Sequence, residues 1–550
     1  MNSLKPMLLT SLKSYNRTQF VKDVTAGIIV AIIALPLSIA LALASGVGPE
    51  AGIFTAIVAG FVISALGGSS VQIAGPTAAF ATIVAGIVAK DGLDGLVIST
   101  ILAGIFLILM GLCHFGSLIK FIPYTITTGF TSGIAVTIVI GQLKDFFGVT
   151  YPDGVKPIET TEKFKAFIEN ISTMNTAALI VGIVSLAILI ISPVIFKKIP
   201  GSLIAVIVGI LMVKFLPLKV STIGNLYTIS NSLPAFHLPA VNLHIIENAL
   251  PNAFTIAVLA AIESLLSCVV ADGMINGKHR SDMELVAQGA GNIASALFGG
   301  IPATGAIART AANIKNGGRT PVAGMVHSIT LVIVLVVLMP FAGMIPMPTI
   351  AAILFIVAYN MCQWRTFVHL IRTAPKNDII VLFATFILTI LFDLVVAIEI
   401  GMVLACLLFI KRMSEETHID GWTYVDDDTP DVDAHLKKLP LQIRVYEITG
   451  PLFFGAADAI EHIVVKDFTT CLVLRMRSVP AIDSTAMNAL FNLTKVCENK
   501  GITLVFSHVN EQPMSAMKKS GLYDKVGAEN FCAHIDDALE RGAELGESRQ

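Results

Sequence analysis

An arginine, Arg309, lies in an apolar, glycine-rich stretch of the chain, "GGIPATGAIARTAANIKNGG", at residues 299–318. Pro302, Gly305 and the terminal glycine pairs interrupt this stretch, so it is too short to cross a bilayer as one regular helix. Long apolar runs flank it, and a cation buried at membrane depth costs at least ~2.5 kcal/mol. We therefore expect Arg309 to meet a bound anion or to pair with an acid.

Glu263 is the acid in the middle of another long apolar run, "AFTIAVLAAIESLLSCVV". A buried carboxyl group can carry a proton. It can also stay ionised and coordinate sodium together with hydroxyls such as those of Ser264 and Ser267. The structural alternative is a fixed ion pair between Glu263 and Arg309. An acid inside a membrane segment is by default a candidate functional residue.

The composition predicts a membrane protein. Of the 550 residues, 55% are hydrophobic and 14% are charged. The hydrophobic fraction is higher than that of soluble domains, and the charged fraction is lower. The formal net charge of −2 gives no support to a nucleic-acid partner. Catalytic, phosphate-binding and metal-ligand motifs are not found, so we expect no enzyme activity, no cofactor and no structural metal. The seven cysteines form no CxxC pair and are interpreted as reduced structural thiols.

The apolar runs predict about 14 helices, some of them shorter than a full membrane span. Their approximate bounds are 24–44, 51–66, 76–89, 95–113, 121–142, 175–194, 200–217, 249–271, 284–298, 305–315, 320–340, 347–362, 377–392 and 394–410. The first run is long and is followed by many similar ones, so it is interpreted as a spanning helix rather than a signal peptide.

The basic residues predict the orientation, because short cytoplasmic loops are enriched in Lys and Arg. With a cytoplasmic N-terminus, the inside segments carry Lys120, Lys197, Lys198, Lys278, Arg280, Lys315, Arg319, Arg365, Arg372, Lys376, Lys411 and Arg412. An even number of helices then returns the tail to the cytoplasm. We expect a multi-pass protein of the plasma (inner) membrane with both termini cytoplasmic.

The composition changes sharply after Arg412. We predict a cytoplasmic N-terminal segment at 1–22, a membrane domain at 23–412, an acidic linker at 413–440 and a soluble domain at 441–550. In that last part, "LQIRVYEI", "TCLVLRM" and "ITLVFSHV" are typical of buried strands, and "STAMNALFNLTKVCENKG" of an amphipathic helix. Their alternation predicts a small α/β sheet.

Two glycine-interrupted segments occupy matching positions in the two halves of the membrane part. Gly75 and Pro76 open a short helix after "GGSSVQIA", and Gly305 does so after "GGIPAT". Such a pair is typical of transporters built from inverted repeats. The free N–H groups at a helix start carry about half a positive charge. Two such starts facing each other predict an anion site, to which Arg309 adds a full charge.

These stretches resemble the SulP family of sulfate permeases and related anion transporters, which includes bicarbonate and dicarboxylate carriers and prestin. The resemblance rests on "ALPLSIALA", "IAGPTAAF", "AIESLL", "VADGMINGKH", "ATGAIARTAAN", "GGRTPVAG", "PLFFGAAD" and "IDSTAM", and covers nearly the whole chain. Where some members have a polar residue after the proline of the first helix, this chain has Leu37, so a role for a side chain there lapses.

The resemblance implies a polytopic α-helical membrane protein of 14 helices in two inverted seven-helix repeats, divided into core and gate domains. It places the anion near the backbone of Thr77, Ala78, Ala306 and Ile307, with Arg309 close by. It places the coupling ion at Glu263 and Ser267. The tail resembles a cytoplasmic STAS domain, in which the loop-to-helix motif, here Asp483, Ser484 and Thr485, can be phosphorylated. A plain helix cap is the alternative at that motif.

The function predicted from these observations is secondary active transport of a small anion, of the C4-dicarboxylate, sulfate or bicarbonate class. Proton symport is favoured, with the elevator-like motion of the core that the resemblance implies, and sodium symport and anion exchange stay open. A nucleobase permease and an anion sensor with a signalling tail are further alternatives. The expected partners are the anion, H⁺ or Na⁺, the lipid bilayer, a second copy in a homodimer and a cytoplasmic protein at the tail.

Overall fold

The chain is described by a computed structural model. It covers residues 4–117, 123–152, 157–195, 200–216, 218–230, 232–239, 243–392, 394–421, 442–456, 460, 463 and 469–547. Two compact units divide the chain, residues 1–402 and 403–550. Of the basic residues that predict orientation, Lys120, Lys197 and Lys198 lie outside the described parts.

The first unit is helical, because a helix pairs the backbone groups of an apolar run within the run itself, as a bilayer requires. Eight of the described helices are long and apolar enough to cross a membrane. The helices are α1 Met7–Ser11, α2 Arg17–Ala44, α3 Pro49–Leu66, α4 Ala78–Leu112, α5 Tyr124–Phe147, α6 Thr160–Glu169, α7 Thr176–Ile195, α8 Gly201–Phe215, α9 Ile223–Leu226, α10 Leu243–Ile275, α11 Ser281–Leu297, α12 Ile307–Lys315, α13 Val322–Ala342, α14 Met347–Cys362, α15 Trp364–Thr373, α16 Lys376–Leu391 and α17 Leu394–Glu415.

Large apolar side chains on the outer faces of these helices are exposed. Examples are Ile183 and Ile190 on α7, and Ile333 and Val337 on α13, each with more than half of its surface exposed. An exposed apolar surface of this extent is typical of a protein that contacts lipid. The unit is therefore built to lie in a bilayer.

Every predicted membrane helix has a counterpart in the structure, with three differences in detail. The predicted helices 76–89 and 95–113 are two arms of α4, joined at a kink where Gly92 has φ 71°, a value that glycine adopts without strain. Helix α2 begins at Arg17, inside the segment predicted as an N-terminal extension. The short helices α1, α6, α9 and α15 are additional.

The helices of the first unit pack as two groups, each with members from both halves of the chain. In the first group, α2, α3, α4, α10, α11, α12 and α13 contact one another; in the second, α5, α7, α8, α14 and α16 do. Contacts recur in matching pairs: α4 packs on α10 and α11, and α13 packs on α2 and α3. This repetition is what two inverted repeats produce.

Two short strands join the halves inside the first group. Strands β1 (Ala74–Gly75) and β2 (Thr304–Gly305) pair antiparallel, with Ala74 opposite Gly305. Each strand leads within three residues into a helix, β1 into α4 and β2 into α12. Because the strands are antiparallel, the two helices leave the pair in opposite directions, as inverted repeats require.

The second unit contains a five-stranded sheet. Its order is β3-β4-β5-β6-β7, with strands His418–Gly421, Ile443–Thr449, Cys471–Ser478, Thr503–Ser507 and Phe531–Cys532. The pairings are parallel except that of β3 with β4. Helices Ser484–Asn499, Glu511–Ser520, Leu522–Val526 and Ile535–Glu547 accompany them. The predicted α/β order of the tail is confirmed.

The segment predicted as a linker is partly structured. Of residues 413–440, α17 includes those up to Glu415 and β3 occupies His418–Gly421, whereas 422–440 lie outside the described residues. An acidic, polar stretch can still supply an edge strand, because a strand at the rim of a sheet needs burial on one side only. The domain boundaries themselves stay a prediction.

The cysteines are free thiols, all seven of them. Cys471 and Cys497 are buried in the second unit. Burial raises the pKa of Cys471 to about 12 and that of Cys497 to about 11. These two thiols are therefore protonated at neutral pH and act as small apolar groups of the core.

Candidate functional site

The two helix starts follow the two strands of the pair, α4 after β1 and α12 after β2. Ala306 N donates to Ile73 O at 2.9 Å, so the chain entering α12 continues the ladder of β1. Directly opposed residues of such a ladder have Cα atoms about 5 Å apart. The residues before the first helical turns, Thr77 and Ala306, give neither helix a side-chain cap. Of the four backbone positions predicted for the anion, Thr77 and Ala78 thus begin α4 just after one strand of the pair, and Ala306 and Ile307 begin α12 directly after the other.

The strand pair leaves no room for larger residues. A side chain at Gly305 would overlap the amide of Gln72, and one at Gly75 would overlap Nη1 of Arg309. The two glycines of the sequence echo therefore allow a close approach, of Gly75 to the arginine and of Gly305 to the glutamine, which a larger residue would have to displace. Both contacts position the groups around the helix starts.

Arg309 extends from the first turn of α12 across this pair. Its side chain is buried, with 1% of its surface exposed. Nη2 donates to Pro76 O at 3.0 Å and to Ser38 Oγ at 3.4 Å. Nε and Nη1 have no hydrogen-bond partner among the described residues. A buried guanidinium with unused donors is costly unless a ligand accepts from it.

Ser38 is a contact that sequence reasoning missed. It lies in α2, two residues after Pro36, where the resemblance drew attention to Leu37 instead. A serine in an apolar helix gives little signal, because a serine hydroxyl usually bonds to its own helix backbone. Only the structure shows that Arg309 reaches it from 271 positions along the chain.

Glu263 belongs to the middle of α10, and its carboxyl group reaches the start of α4. Thr77 Oγ1 donates to Glu263 Oε2 at 2.8 Å, so the carboxyl group is held at the N-terminus of α4. No ion pair joins Glu263 and Arg309 in the parts of the chain that the structure describes. The structural alternative considered for these two residues, a fixed ion pair, is therefore not what the structure contains.

Ser267 lies one helical turn after Glu263, on the same face of α10. It is buried, and its Oγ is 3.5 Å from Thr310 Oγ1. Thr310 Oγ1 in turn accepts from Ile73 N at 3.0 Å. The predicted pair for the coupling ion thus lies on one face of α10, with Ser267 directed towards α12.

Ser264, the other hydroxyl considered for sodium, belongs to a separate network. It accepts from Gln72 Nε2 at 3.0 Å and donates to Glu284 Oε1 at 3.3 Å. Its hydroxyl is therefore used by neighbours other than Glu263.

Glu284 is the buried acid at the centre of that network, and sequence reasoning missed it. Its Oε2 accepts from Gly68 N and Ser69 N, and its Oε1 accepts from Gln72 and Gln288 at 2.7 and 2.9 Å. A carboxylate that accepts this many hydrogen bonds is stable when buried. Glu284 thereby ties the turn after α3 to α10 and α11 and fixes Gln72 beside Gly305.

The motif in the second unit begins a helix. Asp483 Oδ1 accepts from Ala486 N at 2.9 Å, and Oδ2 accepts from Phe454 N at 2.8 Å. Asp483 is therefore the N-cap of helix Ser484–Asn499. Ser484 and Thr485 are exposed. Their phosphorylation stays a prediction.

Comparisons with known proteins agree with this architecture. The sequence profile of the sulfate permease family matches residues 20–385, and that of the STAS domain matches residues 437–538. YvdB of Bacillus subtilis (strain 168) is 40% identical over 537 residues, which cover 96% of this chain and 98% of that protein. The bicarbonate transporter BicA of Picosynechococcus sp. is 31% identical over 542 residues, 95% of this chain and 94% of that protein.

Two solved structures are similar in fold. The murine Solute Carrier 26 family member A9 anion transporter in the inward-facing state has a TM-score of 0.85 at 19% identity, covering 98% of this chain and 94% of that one. The transmembrane domain of a cyanobacterium bicarbonate transporter BicA has a TM-score of 0.63 at 28% identity, covering 71% and 98%. Since the family profile covers more than half of the chain and a 40% identical relative spans nearly all of it, the chain belongs to the sulfate permease family and carries a C-terminal STAS domain.

Proposed function

We propose that the protein is a secondary active transporter that moves a small anion together with a proton. The observation that carries this proposal is the buried guanidinium of Arg309, with two unused donor nitrogens beside the strand pair from which two helices start. Helix starts and a guanidinium are both donors, and together they favour an anion over a neutral or cationic ligand. A nucleobase would leave the charge of Arg309 uncompensated.

The proposed anion is of the sulfate, bicarbonate or C4-dicarboxylate class. The family name and the named relative BicA support sulfate and bicarbonate. The site offers backbone N–H groups near Thr77, Ala78, Ala306 and Ile307 together with one guanidinium. Such donors select by size and by the cost of removing water from the anion, so binding to a panel of anions must identify the substrate.

The place of Glu263 supports proton symport. An ionised carboxylate bonded to Thr77 occupies the positive end of α4 and repels an arriving anion. A protonated carboxyl group removes that repulsion, so the proton and the anion each favour binding of the other. Sodium held by Glu263 and Ser267 would neutralise the same charge, and the sodium arm of the experiment below distinguishes the two.

The proposed movement carries the site with one group of helices. Ser38, Thr77, Glu263 and Arg309 belong to α2, the start of α4, α10 and α12, all of which pack in the first group. A shift of this group past the second would move the whole site across the membrane without changing its internal contacts. That is an elevator-like motion.

We also propose that the protein lies in the plasma membrane with both termini cytoplasmic. Supporting this orientation, Arg280 donates to Lys5 O at 2.8 Å and Arg319 N donates to Asp23 at 2.9 Å. Predicted inside positions thus gather at the same end as the N-terminal segment. The STAS domain is proposed to support a homodimer and to bind a cytoplasmic partner.

The experiment is uptake of labelled sulfate, bicarbonate, succinate and fumarate into liposomes that contain the purified protein. A proton gradient, a sodium gradient and no gradient are imposed in turn. Proton-driven accumulation of one anion is the expected result. Accumulation driven by sodium alone, or flux only against trapped internal anion, would replace proton symport by sodium symport or exchange. No flux of any anion would contradict transport and favour an anion sensor.

A further inference from the structure

One buried histidine of the membrane unit takes no part in the proposed transport mechanism. His327, in α13, is fully buried, and neither of its ring nitrogens has a hydrogen-bond partner among the described residues. A buried polar atom without a partner costs free energy, because it has lost its hydrogen bonds to water and gained none in the protein. An imidazole in such a position needs an explanation.

One side of His327 faces α2. The two helices run side by side in the same direction, because Asp23 near the start of α2 accepts from Thr320 just before α13, at 2.6 Å. Further along, a side chain at Gly27 would come within 2.6 Å of Ala323 O. His327 is one turn beyond Ala323, so it lies beside the next turn of α2, on the path towards Ser38.

The other side of His327 adjoins α3 and the strand pair. Its neighbour Ser328 donates to Ala56 O at 3.1 Å. A side chain at Gly75 would lie 3.6 Å from Ala56 Cα and would overlap Nη1 of Arg309. Ala56 and Gly75 therefore separate the turn of α13 at 327–328 from the guanidinium by little more than backbone.

The unpaired atoms of the two residues are complementary. Arg309 has free donors only, at Nε and Nη1, whereas a neutral imidazole has one acceptor and one donor nitrogen. A buried water makes about three hydrogen bonds to otherwise unpaired groups. One water could accept from the guanidinium and donate to the imidazole, and would leave the second guanidinium nitrogen free for an anion.

We propose that His327 is a positioning residue for Arg309: through one shared buried water, its imidazole holds one free nitrogen of the guanidinium and directs the other towards the paired helix starts. This inference rests on the proposed role of Arg309 in anion binding. His327 itself does not touch the anion. It fixes the direction in which Arg309 offers its remaining donor.

The test compares His327→Phe, which removes both ring nitrogens, with His327→Gln, which keeps a donor and an acceptor. Ser64→Ala is the matched control, because Ser64 Oγ is also buried and unpaired and packs against Gly324 of α13. In uptake, His327→Phe is expected to raise KM for the anion about tenfold with Vmax within about twofold. His327→Gln should restore most of the affinity, and Ser64→Ala should leave KM unchanged. An unchanged KM in His327→Phe would overturn the proposal.

A second measurement does not depend on transport. Without anion, His327→Phe should lower the midpoint of thermal unfolding, because one guanidinium nitrogen of Arg309 then loses its hydrogen-bond partner. In an Arg309→Ala background the same substitution should no longer lower it. A raised midpoint of the single variant His327→Phe would mean that the imidazole has no hydrogen-bond partner, and it would refute the shared water. If the unchanged protein moves no anion, transport fails as a function, while the midpoints still decide the role of His327.

Discussion

Arg309 is the side chain on which the proposed anion site depends most. Arg309→Ala removes two free donors and one full charge from a buried position. A hydrogen bond to a charged group contributes about 1.5–3 kcal/mol, so we expect the dissociation constant of the anion to rise by at least about tenfold. Calorimetric titration of the purified protein measures it.

Arg280→Ala is the matched control for that measurement. Arg280 is also partly buried, but it donates to Lys5 O and Thr10 Oγ1, away from the helix starts. Its loss should leave anion affinity unchanged. Equal anion affinities of Arg309→Ala and the unchanged protein would show that Arg309 does not bind the anion.

Glu263 tests the coupling at the same scale. Glu263→Gln can still accept from the hydroxyl of Thr77, but it can neither bind a proton nor carry a charge for sodium. We expect gradient-driven accumulation to be lost while exchange of internal for external anion persists, as flux assays in liposomes would show. Glu399→Gln, at an exposed position of α17, is the control. Undiminished accumulation by Glu263→Gln would mean that Glu263 does not couple transport to an ion, and that its hydrogen bond with Thr77 has only a structural role.

At the scale of elements, the strand pair positions both helix starts, and Gly305 is where it is most sensitive. A methyl group there would overlap Gln72, which is held by Glu284 at 2.7 Å and Ser264 at 3.0 Å. Gly305→Ala must therefore displace Gln72 or separate the strands. We expect weaker anion binding, measured by titration, together with a lower midpoint of thermal unfolding.

Gly86→Ala is the contrasting variant, in the helix that follows the other strand of the pair. Gly86 lies in α4, and an added methyl group meets no atom within 4 Å. Alanine favours a helix over glycine by up to about 1 kcal/mol, so this variant should be unchanged or slightly more stable. If both variants behaved alike, close packing at Gly305 would not be the cause.

The elements themselves could be predicted because they depend on local sequence. Apolar runs gave each membrane helix, and glycine interruptions indicated the starts of α4 and α12. What joins those elements could not be predicted in the same way. Glu284 accepts from Gly68, 216 positions away, and no spacing rule connects two such residues. Glu284 stands near the start of its helix, where an acid is common and gives no special signal.

The same limit applies to the whole molecule. Composition was enough to predict a membrane unit followed by a soluble unit, since burial in lipid and burial in a soluble core need different fractions of charge. It was not enough to show that His418–Gly421 is a strand, because an acidic edge strand resembles a linker. That the imidazole of His327 has no hydrogen-bond partner among the described residues could not be predicted either, because a single histidine in an apolar run forms no recognisable sequence pattern.

The division into two units also bears on which unit performs transport. Every residue proposed for the anion and the coupling ion lies in the first unit, between Ser38 and His327, and none lies beyond Met402. A chain that ends after Glu415 keeps α17 and removes the whole sheet. We expect this truncated protein to keep its anion affinity and its uptake per molecule, whatever happens to its oligomeric state. Uptake in liposomes and light scattering of the purified protein measure the two separately. A truncated protein that retains its helical circular dichroism and its unfolding transition but binds and moves no anion would place an essential part of the mechanism in the STAS domain.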